Sequence, residues 1–410
     1  WFSVEEYKRP TFSVVMEEPS QAYRLNEEVM ITGEAKAFAG YPVGGAKAAY
    51  RVVRQTRFVN LWNFWPGNRN TSETEISMGE VVTDAMGRFE IRFKALPDPA
   101  IPVGAKPYFF YRISVTVSDA NGETRNGSAG LSVGYQSLLL YAGVPEKVNK
   151  AEPGTFVLRA TNLSGKPQHV PVQVAVFRLI QPEGVFLERT LPVPEFSEIQ
   201  EAEFRKAFSG IPYQNENQFS KWQKGEQMMK RNMDTSRDSV WAPDNMRSWE
   251  SGVYKVEITT MDPYGFPVLG EEFFTLFAAN ESRLPYRTSQ WFVPLNDECE
   301  PGQAASFLIG SCEPDVRILI QTVMPDSMVD ERWILVSGSQ KLVEIPVLEK
   351  YRGDVAVNFL YFKNNRTYSF QSIVKVPHTP RKLEVELETF RKTLEPGKQE
   401  TWTVRVKDYL

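Results

Sequence analysis

The sequence predicts a mainly β protein, a row of antiparallel β-sandwiches of immunoglobulin or fibronectin kind. Three observations predict it. Apolar and polar residues alternate at period two in runs such as "RISVTVSDANGET" (112–124), "GRFEIRFKAL" (87–96) and "GVYKVEITTMDPYG" (252–265). Gly, Pro and Asn break these runs about every 8–12 residues, the spacing of short strands in a sandwich. A start motif also recurs, Glu-Pro-Gly followed by an alternating strand, in "AEPGTFVLRATN" (151–162), "CEPGQAASFLIGS" (299–311) and "LEPGKQETWTVRVKD" (394–408).

Each recurrence reads as a strand, a Pro-Gly turn and a second strand. Proline presets φ at the second turn position and glycine supplies positive φ at the third. "LNEEVMITGEAKA" (25–37) has the same pattern without Pro-Gly. A sandwich takes roughly 100 residues, so the four starts divide the 410 residues into units at 10–135, 136–284, 285–378 and 379–410. The last has room for two or three strands. Residues 1–9 read as the end of an upstream unit and a linker. In "VEEYKRPTF" (4–12) the charges suit a hinge and Pro10 stiffens it. With Trp1 in place of an initiator Met, the chain reads as a piece of a longer protein.

Residues 194–249 break the alternation and are expected to form a small helical insertion in the second unit. "SEIQEAEFRKAFSG" (197–210) reads as a helix in which Ser197 and Gln200 form a capping box and Gly210 ends it. "QFSKWQKGEQMMKR" (218–231) reads as a second helix interrupted by Gly225, and the stretch after it as loop.

Composition excludes several functions. Net charge is −4, which gives no electrostatic case for nucleic acid. No apolar run reaches the 18 residues of a membrane span. Two cysteines, Cys299 and Cys312, and two histidines, His169 and His378, leave no metal cluster and no catalytic triad, so neither a metal, a cofactor nor an enzyme is expected. The cysteines flank one strand, too far apart for a disulfide, and are expected as free thiols. Asp84, Asp119 and Asp262 each precede a glycine by three residues. They lack the alternating carboxylates of a calcium loop and read as turn residues accepting backbone hydrogen bonds. The five Asn-x-Ser/Thr triplets, at Asn162 and Asn365 among others, carry no weight if the source is bacterial. Phe58, Trp62, Phe64 and Trp65, in "RFVNLWNFWPG" (57–67), form the densest aromatic run. They are a possible interaction surface, for sugars or for a neighbouring unit.

The stretches "WFSVEEYKRPTFSVVMEEPS" (1–20), "GEAKAFAGYPVGGAKAAYRVVR" (33–54), "TDAMGRFEIRF" (83–93) and "LETFRKTLEPGKQETWTVRVKD" (387–408) resemble, in order and spacing, consecutive macroglobulin domains of bacterial alpha-2-macroglobulin family proteins. The resemblance implies third-, fourth- and fifth-like macroglobulin domains at 10–135, 136–284 and 285–378, and the start of another at 379–410. It implies an extracytoplasmic scaffold segment of a broad-spectrum protease trap. Its partners would be the neighbouring macroglobulin domains and, for the whole protein, proteases. The family's Cys-Gly-Glu-Gln thioester has no counterpart here; "ECEPGQ" (298–303) is similar only superficially. The bait segment is expected beyond Leu410. The alternative is a cell-surface adhesion module using the sandwiches and the aromatic loop.

Overall fold

The computed structural model describes residues 10–408 apart from 20, 59–72, 104–106, 195, 325–326, 350, 352, 378–382 and 390–401. The first sandwich contains β1 (Phe12–Met16), β2 (Glu28–Ala37), β3 (Lys47–Phe58), β4 (Thr74–Val82), β5 (Arg88–Lys94), β6 (Pro107–Ser118) and β7 (Thr124–Gly134). One sheet runs β1-β2-β5 and the other β4-β3-β6-β7, every pair antiparallel. Alternation places the inward residues. Val29, Ile31, Phe89, Ile91 and Phe93 of one sheet meet Val52, Phe109, Tyr111, Ile113 and Val115 of the other in a single core. Successive side chains of a strand point to opposite faces, so the charged alternates are left outside.

The third sandwich repeats this order. Its strands are β16 (Trp291–Asn296), β17 (Ala304–Ser311), β18 (Val316–Met324), β19 (Ser327–Val336), β20 (Ser339–Pro346), β21 (Val355–Lys363) and β22 (Arg366–Val374). The sheets run β16-β17-β20 and β19-β18-β21-β22, around Phe307, Ile309, Ile318, Ile320, Val357 and Phe359. Numbered by position in each unit, the order is 1-2-5 against 4-3-6-7 both times.

The second sandwich has β8 (Leu138–Gly143), β9 (Lys147–Asn149), β10 (Phe156–Asn162), β11 (Pro171–Ile180), β12 (Gln223–Asp234), β13 (Val240–Trp241), β14 (Gly252–Met261) and β15 (Pro267–Phe277). Its sheets are β13-β10-β8 and β12-β11-β14-β15-β9. Apart from the added edge β9, this is the same order again, with β12 and β13 in the fourth and fifth places.

The expected helical insertion at 194–249 is therefore corrected. That stretch supplies two strands of the sandwich, and Met229, Met233 and Trp241 from it lie in the core. The second expected helix is instead a 3-10 turn at Phe219–Lys221 followed by β12, paired with β11 from Pro171 to Ile180. The first is short, α1 (Glu201–Ala207). Its capping box does not form: Gln200 is the N-cap without a side-chain bond, and Ser197 Oγ donates to Ile199 O (2.9 Å). No residue of α1 is buried. Glu201 and Glu203 in its first turn and the Arg205–Glu201 pair support it only locally.

A final hairpin, β23 (Leu383–Thr389) and β24 (Thr403–Asp408), closes the chain. Val385, Leu387, Val404 and Val406 lie on one face of it, all exposed. None of the described helices is long and apolar enough to cross a membrane.

Candidate functional site

The three aspartates singled out in the sequence build one local structure three times. In each, the backbone N–H of the aspartate donates to the carbonyl four residues on, and the glycine N–H donates back to the aspartate carbonyl. Asp84 Oδ1 accepts from the N–H groups of Met86 and Arg88, both at 2.8 Å. Asp119 Oδ1 does so from Asn121 (2.9 Å) and Glu123 (2.8 Å), and Asp262 Oδ1 from Tyr264 (3.0 Å) and Phe266 (2.9 Å). The glycines Gly87, Gly122 and Gly265 have φ of 75–80°, a region costly for other residues. Asn162 is a fourth copy: its Oδ1 accepts from Ser164 N (3.0 Å) and Lys166 N (2.9 Å), and Gly165 takes the positive φ. Asn162 is 2% exposed, so its amide cannot carry a sugar, and the triplet there has a structural meaning that the sequence did not disclose.

Two of these loops form the joint between the first and second sandwiches. Asn162 Nδ2 donates to Gln21 O (3.2 Å), and Lys166 pairs with Glu18 at 2.7 Å. The hydrogen bond and charge of Lys166 hold the Glu18 carboxyl below its ordinary value. Asp262 Oδ2 accepts from Ser137 Oγ (2.9 Å) in a buried contact. Tyr264 Oη lies 2.9 Å from Ala22 O and 2.8 Å from Glu27 Oε2, with Arg24 over its ring at 4.9 Å. Burial first, and Glu27 second, push the Tyr264 hydroxyl up to about 12.

The second joint is built differently. Residues 278–290 run across the end of the third sandwich. Gln340 Nε2 donates to Ala278 O and Glu281 O, both at 2.8 Å. Tyr361 Oη donates to Ser289 O at 2.7 Å. Gln181 and the backbone of Arg287 exchange two hydrogen bonds, at 2.7 and 2.8 Å. A Cβ on Gly310 would come within 2.8 Å of both Leu284 Cδ2 and Ser339 O, so glycine is what lets the linker pass. Phe219, Trp222, Tyr286, Trp291 and Phe277 follow one another in edge-to-face contacts across this joint, an arrangement that adds to area burial.

Beside that aromatic run lies a cleft of about 680 Å³, with Arg178, Trp222, Glu226, Arg283, Tyr286 and Arg287 in its walls. Cys312 reaches it too. Burial first, then Glu313, pushes its thiol up to about 11 against the influence of Arg287. Cys312 and the buried Cys299 are both free.

Of the expected interaction surface, Phe58 ends β3 and pairs in register with Pro107. Trp62, Phe64 and Trp65 lie outside the described residues. So does His378, while His169 is exposed. Among the described residues no three His, Cys, Asp or Glu side chains gather as metal ligands.

Residues 290–409 match the family model described as "Alpha-2-macroglobulin bait region domain". Across 437 aligned residues the chain is 22% identical to an "Alpha-2-macroglobulin homolog" of Nostoc sp., covering 99% of this chain and 21% of that protein. The chain thus spans 21% of the length of the curated relative it matches. Among solved structures, the native conformation of Escherichia coli alpha-2-macroglobulin aligns at 12% identity and a TM-score of 0.33, over 99% of this chain and 25% of that one. Salmonella alpha-2-macroglobulin reacted with methylamine aligns at 13% and 0.33, over 98% and 25%. The expectation of a chain without a bait region does not stand beside the first of these matches. The match covers the third sandwich and the final hairpin, where the sequence reads as alternating strand and not as a long polar run.

Proposed function

We propose, from the premise that the chain belongs to the alpha-2-macroglobulin family, that it works as a non-catalytic framework segment of a protease inhibitor. In this reading 10–135, 136–284 and 285–378 are third-, fourth- and fifth-like macroglobulin domains, and 379–410 begins the next. The observation that supports it is the strand order repeated in three successive sandwiches, with purpose-made hydrogen-bonded joints between them. Such joints hold neighbouring domains at set angles, which is what a framework must do. The apolar face of the final hairpin supports a further domain, because a lone two-stranded hairpin is marginal in water. The segment's partners are then its neighbouring macroglobulin domains. The proteases are targets of the whole inhibitor, which acts outside the cytoplasm.

The test is to incubate the chain with trypsin and assay the protease on a large protein substrate and on a small peptide substrate. A framework segment leaves both activities unchanged. Blocking of the large substrate with the small one spared would mean that these residues trap by themselves, and the reading would fall.

A further inference from the structure

We infer that the cleft at the second joint is a binding site for an extended acidic peptide segment that carries an apolar side chain. Its volume of about 680 Å³ lies within the range of ligand sites, which favour interfaces between domains. Charge decides the class of ligand. Three guanidinium groups line the cleft, Arg178, Arg283 and Arg287, against one carboxylate, Glu226. Arg178 is held by Glu250 at 2.7 Å. Arg287 lies over the Phe186 ring at 5.0 Å. Arg283 makes no ion pair or hydrogen bond among the described residues and acts on Glu281 through its charge alone. The nearby Glu281 is already engaged by Lys150 at 2.8 Å and by Ser251 at 3.0 Å. The cleft therefore presents a guanidinium with its donors unused, and guanidinium forks match carboxylates.

The floor between the arginines is apolar. Trp222 is buried with its indole N–H already satisfied by Glu216 O (2.8 Å), and it meets Tyr286 edge to face. The arginines stand on two separate elements, β11 and the linker. A compact anion engages one of them, whereas a peptide with spaced acidic side chains engages several and seats an apolar side chain on the floor. Arginines and aromatics are also the residues that dominate binding energy at protein surfaces.

The inference does not rest on protease trapping, and its test contains no protease. A fluorescein-labelled peptide, Glu-Glu-Phe-Glu-Leu-Glu-Glu, is titrated with the whole chain and followed by anisotropy. Saturable binding is expected, weakened at least about tenfold by Arg283→Glu, equivalent to about 1.4 kcal/mol. Glu226→Gln, which removes the one lining carboxylate, should tighten it. Replacing every glutamate of the peptide by glutamine should abolish it. Equal affinity for the glutamine peptide, no effect of Arg283→Glu, or no saturable binding would overturn the inference. Displacement by citrate at concentrations equal to the peptide would also overturn it, since a simple anion site would then suffice.

Discussion

At the scale of single residues, the Asp-x-x-Gly loops show how one local design takes on unequal roles. Asp119 accepts two backbone N–H bonds in a half-exposed turn. Asp262 accepts two, and its second oxygen takes the Ser137 hydroxyl in a buried contact. Leaving a buried donor without its partner costs more than leaving an exposed one. Asp262→Ala should therefore destabilise by about 2–4 kcal/mol, and Asp119→Ala by about 1 kcal/mol. Urea denaturation of the two variants tests the order, and an equal or reversed cost would refute it. The loops themselves were legible in the sequence from carboxylate and glycine spacing. Their use as joints was not, because nothing local distinguishes Asp262 from Asp119.

Two glutamates on adjacent strands give a pH prediction. Burial alone raises the Glu272 carboxyl. At Glu257 burial opposes ionisation, but hydrogen bonds from Lys255 and Lys224 outweigh it and hold the carboxyl below its ordinary value. A raised carboxyl contributes stability below its unfolded value that is lost as pH rises through the folded one. A lowered carboxyl contributes stability above its unfolded value that is lost as pH falls. Glu272→Gln should therefore raise the melting temperature at pH 7 and leave it nearly unchanged at pH 3. A fall at pH 7 would show that the ionised carboxylate has a stabilising partner.

At the scale of elements, β12 marks the limit of sequence reading. β5 and β6 were plain because each alternates against a buried core. β12 is an edge strand, and in "QKGEQMMKRNMD" the side facing water is wide and charged. Its register with β11 shifts twice near Phe177, so strict period two is broken where it would have been read. β13 is two residues long and gives no periodicity at all. The short 1-2-5 sheet thus depends on contacts that only the folded chain supplies. The fold class, the strand starts and the inward alternation of Phe89, Ile91 and Phe93 followed from the pattern; these two strands required tertiary pairing. Pairing also protects them. Arg231, placed by its strand opposite Val174 and paired with Asp244, should resist trypsin in the native chain. Brief digestion followed by mass spectrometry should find cuts after Lys206 before any after Lys230 or Arg231. Early cleavage within β12 would mean that this strand opens readily.

At the scale of the whole molecule, the two joints predict different mechanics. The first depends on a few long-range polar contacts made by loop tips, of which Tyr264 to Glu27 and Ala22 is the most connected. Tyr264→Phe removes both and leaves each hydrophobic core untouched. Small-angle scattering should show a broader distribution of interdomain distances, with circular dichroism and the unfolding midpoint of each sandwich little changed. An unaltered scattering curve would assign the angle to the remaining contacts, Asn162–Gln21 and Lys166–Glu18 among them. The second joint should resist single substitutions better, since aromatic packing and several hydrogen bonds share it.

The aromatic packing has an optical consequence. Trp222 and Trp291 flank the second joint, both buried, whereas the first joint is made with tyrosine. Indole emission shifts to longer wavelength when the ring meets water. Any separation of the second and third sandwiches would then be visible as a change of colour without a label. The same movement at the first would pass unseen in tryptophan fluorescence. The second joint carries its own gauge, and the first does not.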